Sequence, residues 1–196
     1  MLDRSVFAAR RRAYLDALGP DAVAVVSSLP ERLRNCDSHY AFRQHSDVHY
    51  LTGFAEPEAT VVLRPGATGE EVVMFVRPRD PEMETWNGRR AGLDGVKALH
   101  GADVAYPHTE LAERLPELIA NREHLHYALG LDPDLDLLVR APSRACASSR
   151  SAASARRVTS SIRAWCCTSC ACTSRPTRSR CCAAPPRSPA TRTSRR

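Results

Sequence analysis

The segment YAFRQHSDVHYLTGFAEPEATVVL, residues 40–63, combines aromatic, polar and β-branched residues. Two parts of it, residues 48–52 (VHYLT) and 59–63 (ATVVL), have the composition of β-strands. A third run of this kind, residues 72–76 (VVMFV), lies beyond the segment and follows a loop at 65–69 whose Pro and Gly content is typical of a hairpin. These three runs predict three strands, of which the last two form an antiparallel pair.

Helix and strand patterns alternate on both sides of this segment. The continuous apolar run at residues 22–26 (AVAVV) predicts a strand that is covered on both faces. Further predicted elements are an amphipathic helix over 2–18 that ends at Gly19, a helix over 93–100 that ends at Gly101, a strand over 104–106, a helix over 109–119 with Thr109 as its N-cap, and a strand over 124–129. Strands linked both by hairpins and by helices predict an α/β fold with a mixed β-sheet flanked by helices.

The net charge of +6 is the sum of two unlike parts. Residues 1–136 hold 15 basic and all 22 acidic residues, a net of −7, whereas residues 137–196 hold 13 arginines and no acid. Seven of the eight cysteines also lie in the second part. The basic pI of about 9.1 therefore does not indicate that the first part binds nucleic acid. No long apolar run occurs, so no membrane span is expected, and a cytoplasmic protein is the default expectation.

Common catalytic motifs are missing from the sequence, including G-x-G-x-x-G, the P-loop, H-E-x-x-H and G-x-S-x-G. His45 with His49, or His124 with His126, would serve as metal ligands only if a carboxylate joined them, and ordinary exposed or hydrogen-bonded histidines are the favoured interpretation. Asp80, Glu82 and Glu84 alternate beside two prolines, which favours a solvated loop over an acid/base pair. Neither a catalytic residue nor a metal ligand is therefore assigned in this chain.

The polar and aromatic residues of the opening segment occur in an order that resembles a motif of a known protein family. Residues 40–57 resemble the Y-x-F-R-Q-x-S-x-F-x-Y-L-T-G-F-x-E-P run of the aminopeptidase P N-terminal domain. Residues 79–92 are similar to that family's R-D-P…W-x-G-R-R-x-G, and Gly101-Ala102-Asp103 is similar to its next turn. The resemblance covers about residues 1–136, and it gives a first domain of 1–139.

This resemblance implies a function. Aminopeptidase P is the metal-dependent Xaa-Pro aminopeptidase, a hydrolase that removes the residue preceding proline from peptides with proline at the second position. Its N-terminal domain is a non-catalytic mixed-sheet module that mediates homo-oligomer contacts. Two Asp, two Glu and a His of a C-terminal "pita-bread" domain hold two divalent metals, commonly manganese, and that domain is expected to be absent from this chain. The chain alone is therefore predicted to be inactive.

The resemblance also carries roles for individual residues. Trp86 matches a tryptophan that approaches the active site of a neighbouring subunit in related enzymes, and the alternative is a tryptophan that closes its own domain's core. Arg43, Tyr50 and Gly53 are expected to be structural, with Arg43 paired to Asp37 or Asp47 and Gly53 at a positive φ. Gly88 and Arg89 belong to the second motif and are also assigned structural roles.

Residues 140–196 form a low-complexity tail rich in Arg, Ser, Ala and Cys. Its few large apolar residues predict disorder. One interpretation is a cysteine zinc cluster around Cys167-x-x-Cys170, and another is an Arg-rich nucleic-acid-binding tail. The favoured hypothesis is an out-of-frame translation of GC-rich DNA, because residues 165–189, written in GC-rich codons and read one frame over, give VVLHELRLHKSPDEVALLRRAAEIS, which resembles the segment that joins the two aminopeptidase P domains.

Three functions follow from the sequence. The first is the non-catalytic domain of a metal-dependent Xaa-Pro aminopeptidase. The alternative is a stand-alone oligomerisation or binding module that uses the face around Trp86. An Arg-rich nucleic-acid-binding protein is the least favoured.

Overall fold

A six-stranded mixed sheet is the centre of the computed structural model, which describes residues 3–140 and 157–159. The elements in chain order are α1 (Arg4–Leu18), β1 (Ala22–Ser27), β2 (Leu33–Asn35), β3 (Ser38–His39), α2 (Ser46–Thr52), β4 (Thr60–Leu63), β5 (Val72–Val76), α3 (Pro81–Asn87), α4 (Gly92–His100), β6 (Val104–Pro107), a 3₁₀ turn (His108–Glu110), α5 (Leu111–Leu118), β7 (His124–Tyr127), α6 (Pro133–Arg140) and β8 (Arg157–Thr159).

The strand order is β6-β5-β4-β1-β7-β8. β4 runs antiparallel to both neighbours, β1 and β5, while β5/β6, β1/β7 and β7/β8 are parallel pairs. The predicted hairpin joins β4 to β5, with Thr60 opposite Phe75 and Leu63 opposite Val72. This arrangement confirms the predicted mixed sheet flanked by helices. It also places the carboxyl ends of β1, β5, β6 and β7 at the same end of the sheet.

The central strands β1, β4 and β5 are buried along their whole length, and for β1 the continuous apolar run at 22–26 predicts this burial. On one face of the sheet, alternate side chains of β1, β4, β5 and β7 pack against α5 and α6 in a single apolar cluster. None of the helices formed by the described residues has the length and apolar content needed to span a bilayer.

One predicted strand is wrong. Residues 48–52 belong to the helix α2, in which Val48, Leu51 and Thr52 are buried. These positions follow the i, i+3, i+4 spacing of a helix face. The helical spacing of the buried residues, and not the β-rich composition, therefore predicts the observed element. Gly53 follows α2 in the left-handed conformation, which is a common way for a helix to end.

Two smaller predictions are also corrected. Thr109 is not an N-cap, because it lies inside the 3₁₀ turn that precedes α5. Asp80, Glu82 and Glu84 do not form a loop, because Asp80 caps α3 and the two glutamates lie within it. An Asp followed by Pro is itself a helix-start signal.

The predicted tail starts at residue 140. Arg140 ends α6, and residues 157–159 form β8 at the sheet edge beside β7. The other residues of the tail lie outside the described residues, and with them the predicted disorder and the alternative of a cysteine zinc cluster.

Candidate functional site

The opening motif folds around α2, and a buried glutamine holds its two flanks together. Gln44 is 8% exposed. Its Nε2 donates to the carbonyl of Glu56 at 2.7 Å, and its Oε1 accepts from the backbone N–H of His45 at 2.8 Å. Since a buried amide satisfied on both ends resists displacement, Gln44 fixes the loops before and after α2 relative to each other.

The carboxyl end of α2 is held by three donors from α1 and α4. The last carbonyls of a helix lack intrahelical partners and carry partial negative charge, so side-chain hydrogen-bond donors stabilise them. The pairs are Arg10 Nη1 with Tyr50 O at 3.2 Å, Arg11 Nη1 with Leu51 O at 2.9 Å, and His100 Nδ1 with Thr52 O at 2.9 Å.

Tyr50 and Gly53 have structural contacts in this arrangement. The guanidinium of Arg10 lies 4.2 Å from the centroid of the Tyr50 ring, which is cation–π geometry. Gly53 has φ +66°, and a Cβ built there would lie 2.7 Å from the Phe7 ring. The expected positive φ is therefore observed, although it follows a helix and not a strand.

Arg43 does not pair as expected. It is exposed, and within the described part of the chain it forms no salt bridge with Asp37 or Asp47. The Oδ2 of Asp47 lies instead 3.8 Å from Nδ1 of His45. The composition of this segment alone could not show that Asp47 lies beside His45 and not beside Arg43.

Trp86 lies on α3 and is 85% exposed, so it does not close the core of its own domain. Met83, one turn earlier on the same helix, is 43% exposed. Asp80 caps this helix through contacts of its Oδ1 with the backbone N–H groups of Glu82 and Met83, at 3.1 and 3.4 Å. The indole is therefore displayed to solvent from a capped helix.

A carboxylate holds α3 to the segments before and after it. Arg79 donates from Nε and Nη2 to the two oxygens of Glu84 at 2.9 and 3.0 Å, and the N–H of Arg90 donates to Glu84 Oε1 at 3.3 Å. The hydrogen bonds from Arg79, with the Arg90 N–H, lower the pKa of Glu84 to about 2. Glu84 is therefore ionised across the physiological range and is poorly suited to act as a general base.

The two motif segments of the sequence meet through Glu56. Its Oε1 accepts from the N–H of Ala91 at 2.7 Å, across 35 positions of the chain. Because Gln44 binds the Glu56 carbonyl, one hydrogen-bonded path links the α2 region to the segment that follows Trp86. Gly88, with φ +83°, and Arg89 lie on that segment and are exposed. The spacing of residues in the sequence could not identify Gln44, Glu56 and Glu84 as the residues that hold this region together, because their partners are set by tertiary contacts.

The histidine pairs do not form a metal centre with the residues around them. Within residues 3–140 and 157–159, no group of three His, Cys, Asp or Glu side chains is placed to hold a metal ion. The side chains in these two ranges therefore do not fit a two-metal site.

Comparison with known proteins supports the motif assignment. Residues 7–127 match the family model described as "Aminopeptidase P, N-terminal domain". The chain belongs to the aminopeptidase P family. It is 36% identical over 139 residues to the Xaa-Pro aminopeptidase of Escherichia coli (strain K12), which covers 70% of this chain and 32% of that protein. It is 38% identical over 113 residues to the human Xaa-Pro aminopeptidase 3, covering 56% of this chain and 22% of that protein.

Solved structures of this family share the fold. The Pseudomonas aeruginosa aminopeptidase PepP is 43% identical with a TM-score of 0.67, over 70% of this chain and 31% of that one. Aminopeptidase P from E. coli with the inhibitor Pro-Leu is 35% identical with a TM-score of 0.66, over 70% and 32% of the two chains. The chain thus spans about a third of the length of these relatives.

Proposed function

We propose that this chain is the non-catalytic N-terminal part of a metal-dependent Xaa-Pro aminopeptidase, which hydrolyses the peptide bond before a proline at the second position. The family membership supports the enzyme class, since relatives with 36% identity bear that name. The chain by itself is proposed to be inactive, because it spans a third of those relatives and its described residues do not assemble a metal centre. Two divalent metals, with manganese as the expected species, belong to the full-length enzyme in this proposal.

One observation carries the role of this domain: Trp86 is 85% exposed on a firmly held helix. A large aromatic face left in water is costly and is typical of a contact surface. We assign to Trp86 a position at the substrate entrance of a neighbouring subunit, where its ring would pack on the apolar proline ring. A homo-oligomer of the full-length enzyme follows from that position.

The inactivity proposal is tested with the purified 196-residue chain. The chain is incubated with Mn²⁺ and a peptide that has proline at its second position, and release of the first residue is followed by mass spectrometry. No release above a buffer blank is expected. Metal-dependent turnover that co-purifies with the chain and disappears on chelation would refute the proposal.

The second candidate is an assembly module that acts without a catalytic domain, and the exposed pair Met83 and Trp86 on one helix favours it. Light scattering after size exclusion decides between the two. A dimer that is lost in Trp86→Ala and kept in Leu99→Ala, an exposed apolar control on α4, would support the module. A strictly monomeric chain at all concentrations would contradict it.

The tail stays a prediction of the sequence, as does the cytoplasmic location. We propose that residues 140–196 are out of frame, with nucleic-acid binding as the less favoured role. DNA sequencing downstream of codon 139 tests the hypothesis, which requires the shifted frame to continue into a metallopeptidase. A shifted frame that is soon interrupted by stop codons would overturn it.

A further inference from the structure

A small cavity lies where β1 and β7, two parallel neighbours in the sheet, both end. Ser27 is the last residue of β1 and Tyr127 is the last residue of β7, and both line the cavity. His45 and Asp47, at the start of α2, complete the polar part of its lining. Four polar side chains from three elements therefore converge on one small space.

Three polar atoms around this cavity have no hydrogen bond within the described part of the chain. They are Ser27 Oγ, His45 Nδ1 and the Tyr127 hydroxyl. Ser27 is 5% exposed and Tyr127 is 2% exposed, so bulk solvent does not supply the missing partners. Unpaired buried polar atoms are rare in folded proteins, because such an atom loses its hydrogen bonds to water and gains none in return. Three of them around one cavity indicate a partner that they share.

The contact between His45 and Asp47 indicates the same partner. Nδ1 of His45 lies 3.8 Å from Oδ2 of Asp47, which is beyond the range of a hydrogen bond. Both side chains are largely buried, with 19% and 16% of their surfaces exposed. Polar groups at this separation are commonly bridged by a water molecule that bonds to each of them. The Asp47 carboxylate is therefore a fourth group within reach of one shared molecule.

The chemistry of these groups suits a partner that both donates and accepts hydrogen bonds. Burial and the neighbouring Asp136 carboxylate raise the pKa of Tyr127, so its hydroxyl keeps its proton. The Ser27 hydroxyl also donates and accepts, whereas the Asp47 carboxylate accepts. A hard cation prefers oxygen ligands alone, and His45 presents a nitrogen. Water satisfies this mixture of donors and acceptors.

The volume of the cavity restricts the ligand further. It is about 10 Å³, at the lower limit of the about 10–15 Å³ that one water molecule needs. Organic molecules and oxyanions are larger than this. Within residues 3–140 and 157–159, no group of three His, Cys, Asp or Glu side chains is placed to hold a metal ion. The rest of the lining is apolar and consists of Val25, Val26, Ala128 and Leu131.

We propose that this cavity binds one internal water molecule, which joins the ends of β1 and β7 to the start of α2. The water bonds to Ser27 Oγ, to His45 Nδ1 and to the Tyr127 hydroxyl. It also bridges His45 to Asp47. An internal water makes about three hydrogen bonds, and three otherwise unpaired atoms surround this cavity.

The water gives α2 a fixed point at its amino end. The carboxyl end is already held by the donors from α1 and α4. At the amino end, the Oε1 of Gln44 accepts from the His45 backbone N–H at 2.8 Å, and the water holds the His45 side chain. A bridging water is nearly as favourable in enthalpy as a direct hydrogen bond. This role is separate from the Trp86 face, and its test is independent of peptidase activity.

The test is the field dependence of the ¹⁷O relaxation of water in a solution of the full chain under reducing conditions. This measurement detects water oxygen held inside a protein and is insensitive to the exchange of hydroxyl protons. Ser27→Val fills the cavity with methyl groups and is expected to remove one long-lived water molecule from the chain. Ser38→Val, at an exposed serine on β3, is expected to keep that water. Equal relaxation amplitudes for the wild type and Ser27→Val would overturn the proposal.

A crystal structure of the unaltered chain tests the site without any variant. One water oxygen is expected within hydrogen-bond distance, about 2.6–3.2 Å, of both Ser27 Oγ and His45 Nδ1. A direct bond between these two side chains, or a cation in place of the water, would contradict the proposal.

Hydrogen exchange tests whether the water holds the amino end of α2. The His49 amide donates to the His45 carbonyl at 3.0 Å at this end, and the Gly53 amide donates to the His49 carbonyl at 2.8 Å at the other end. In Ser27→Val, the His49 amide is expected to exchange at least about threefold faster while the Gly53 amide keeps its rate, because each end opens when its own contacts are lost. Equal changes at both amides, or no change at either, would refute this role.

Discussion

Gly53→Ala is the sharpest test of how the motif helix is held. The glycine has φ +66°, and a methyl group at this position would lie 2.7 Å from Cε2 and Cζ of Phe7. Alanine pays about 1–2 kcal/mol for the left-handed conformation, and displacement of the packed ring adds about 1–3 kcal/mol. We therefore expect the free energy of unfolding to fall by about 2–5 kcal/mol.

Gly69→Ala provides the matched control. Gly69 has φ +77°, but no atom lies within 4 Å of a Cβ built there, so only the conformational cost applies. Urea unfolding of the full chain, followed by far-ultraviolet circular dichroism, should give a loss of about 1–2 kcal/mol for this variant. Phe7→Leu in the Gly53→Ala background should recover part of the larger loss, as a double-mutant cycle would show. Equal losses for the two glycines, with no coupling to Phe7, would refute the close contact.

Three further predictions concern residues of α1 and α3. The pKa of Glu84 is lowered to about 2 from an ordinary value of 4.5, so the stabilisation from its ion pair is complete above about pH 4.5 and is lost as the pH falls towards 2. The urea midpoints of the wild type and Glu84→Gln should therefore differ at pH 6 and converge in acid. A difference that stays constant with pH would contradict the ion pair. Arg11→Met leaves the buried Leu51 carbonyl without its donor and should lower the free energy of unfolding by about 1.5–3 kcal/mol. The control Arg12→Met, whose ion pairs are exposed, should lower it by less than about 1 kcal/mol. Equal losses for the two variants in urea unfolding would argue against the capping role of Arg11. Trp86→Ala should leave the thermal midpoint unchanged, because the side chain is 85% exposed, and a large fall in that midpoint would show that the indole is a core residue.

Much of the sheet follows from local sequence. The run at 22–26 is continuously apolar, as a strand buried on both faces commonly is, and the runs at 59–63 and 72–76 are rich in β-branched residues, which favour strands. The Pro-Gly loop at 65–69 favours a hairpin over other connections, and the structure has β4 and β5 paired there. The strands and the hairpin depend on residues that are close together in the chain, so local sequence patterns are sufficient to predict them.

The α2 segment shows where local composition misleads. Residues 48–52 have strand-like composition, yet donors from α1 and α4 satisfy the carbonyls at the end of a helix. Those donors are up to 48 residues away in sequence. Tertiary contacts therefore outweighed intrinsic propensity, whose contribution is small for each residue.

The sequence by itself determined the family, the mixed sheet and the charge division between residues 1–136 and the remainder, because motifs, periodicity and charge are all written in residue order. Only the tertiary structure decided that Trp86 lies in solvent and that Glu56 joins two distant motif segments. The physical reason is the same in each case. Exposure and hydrogen-bond partners depend on which elements pack together, and residues far apart in the chain become neighbours only when the sheet has formed.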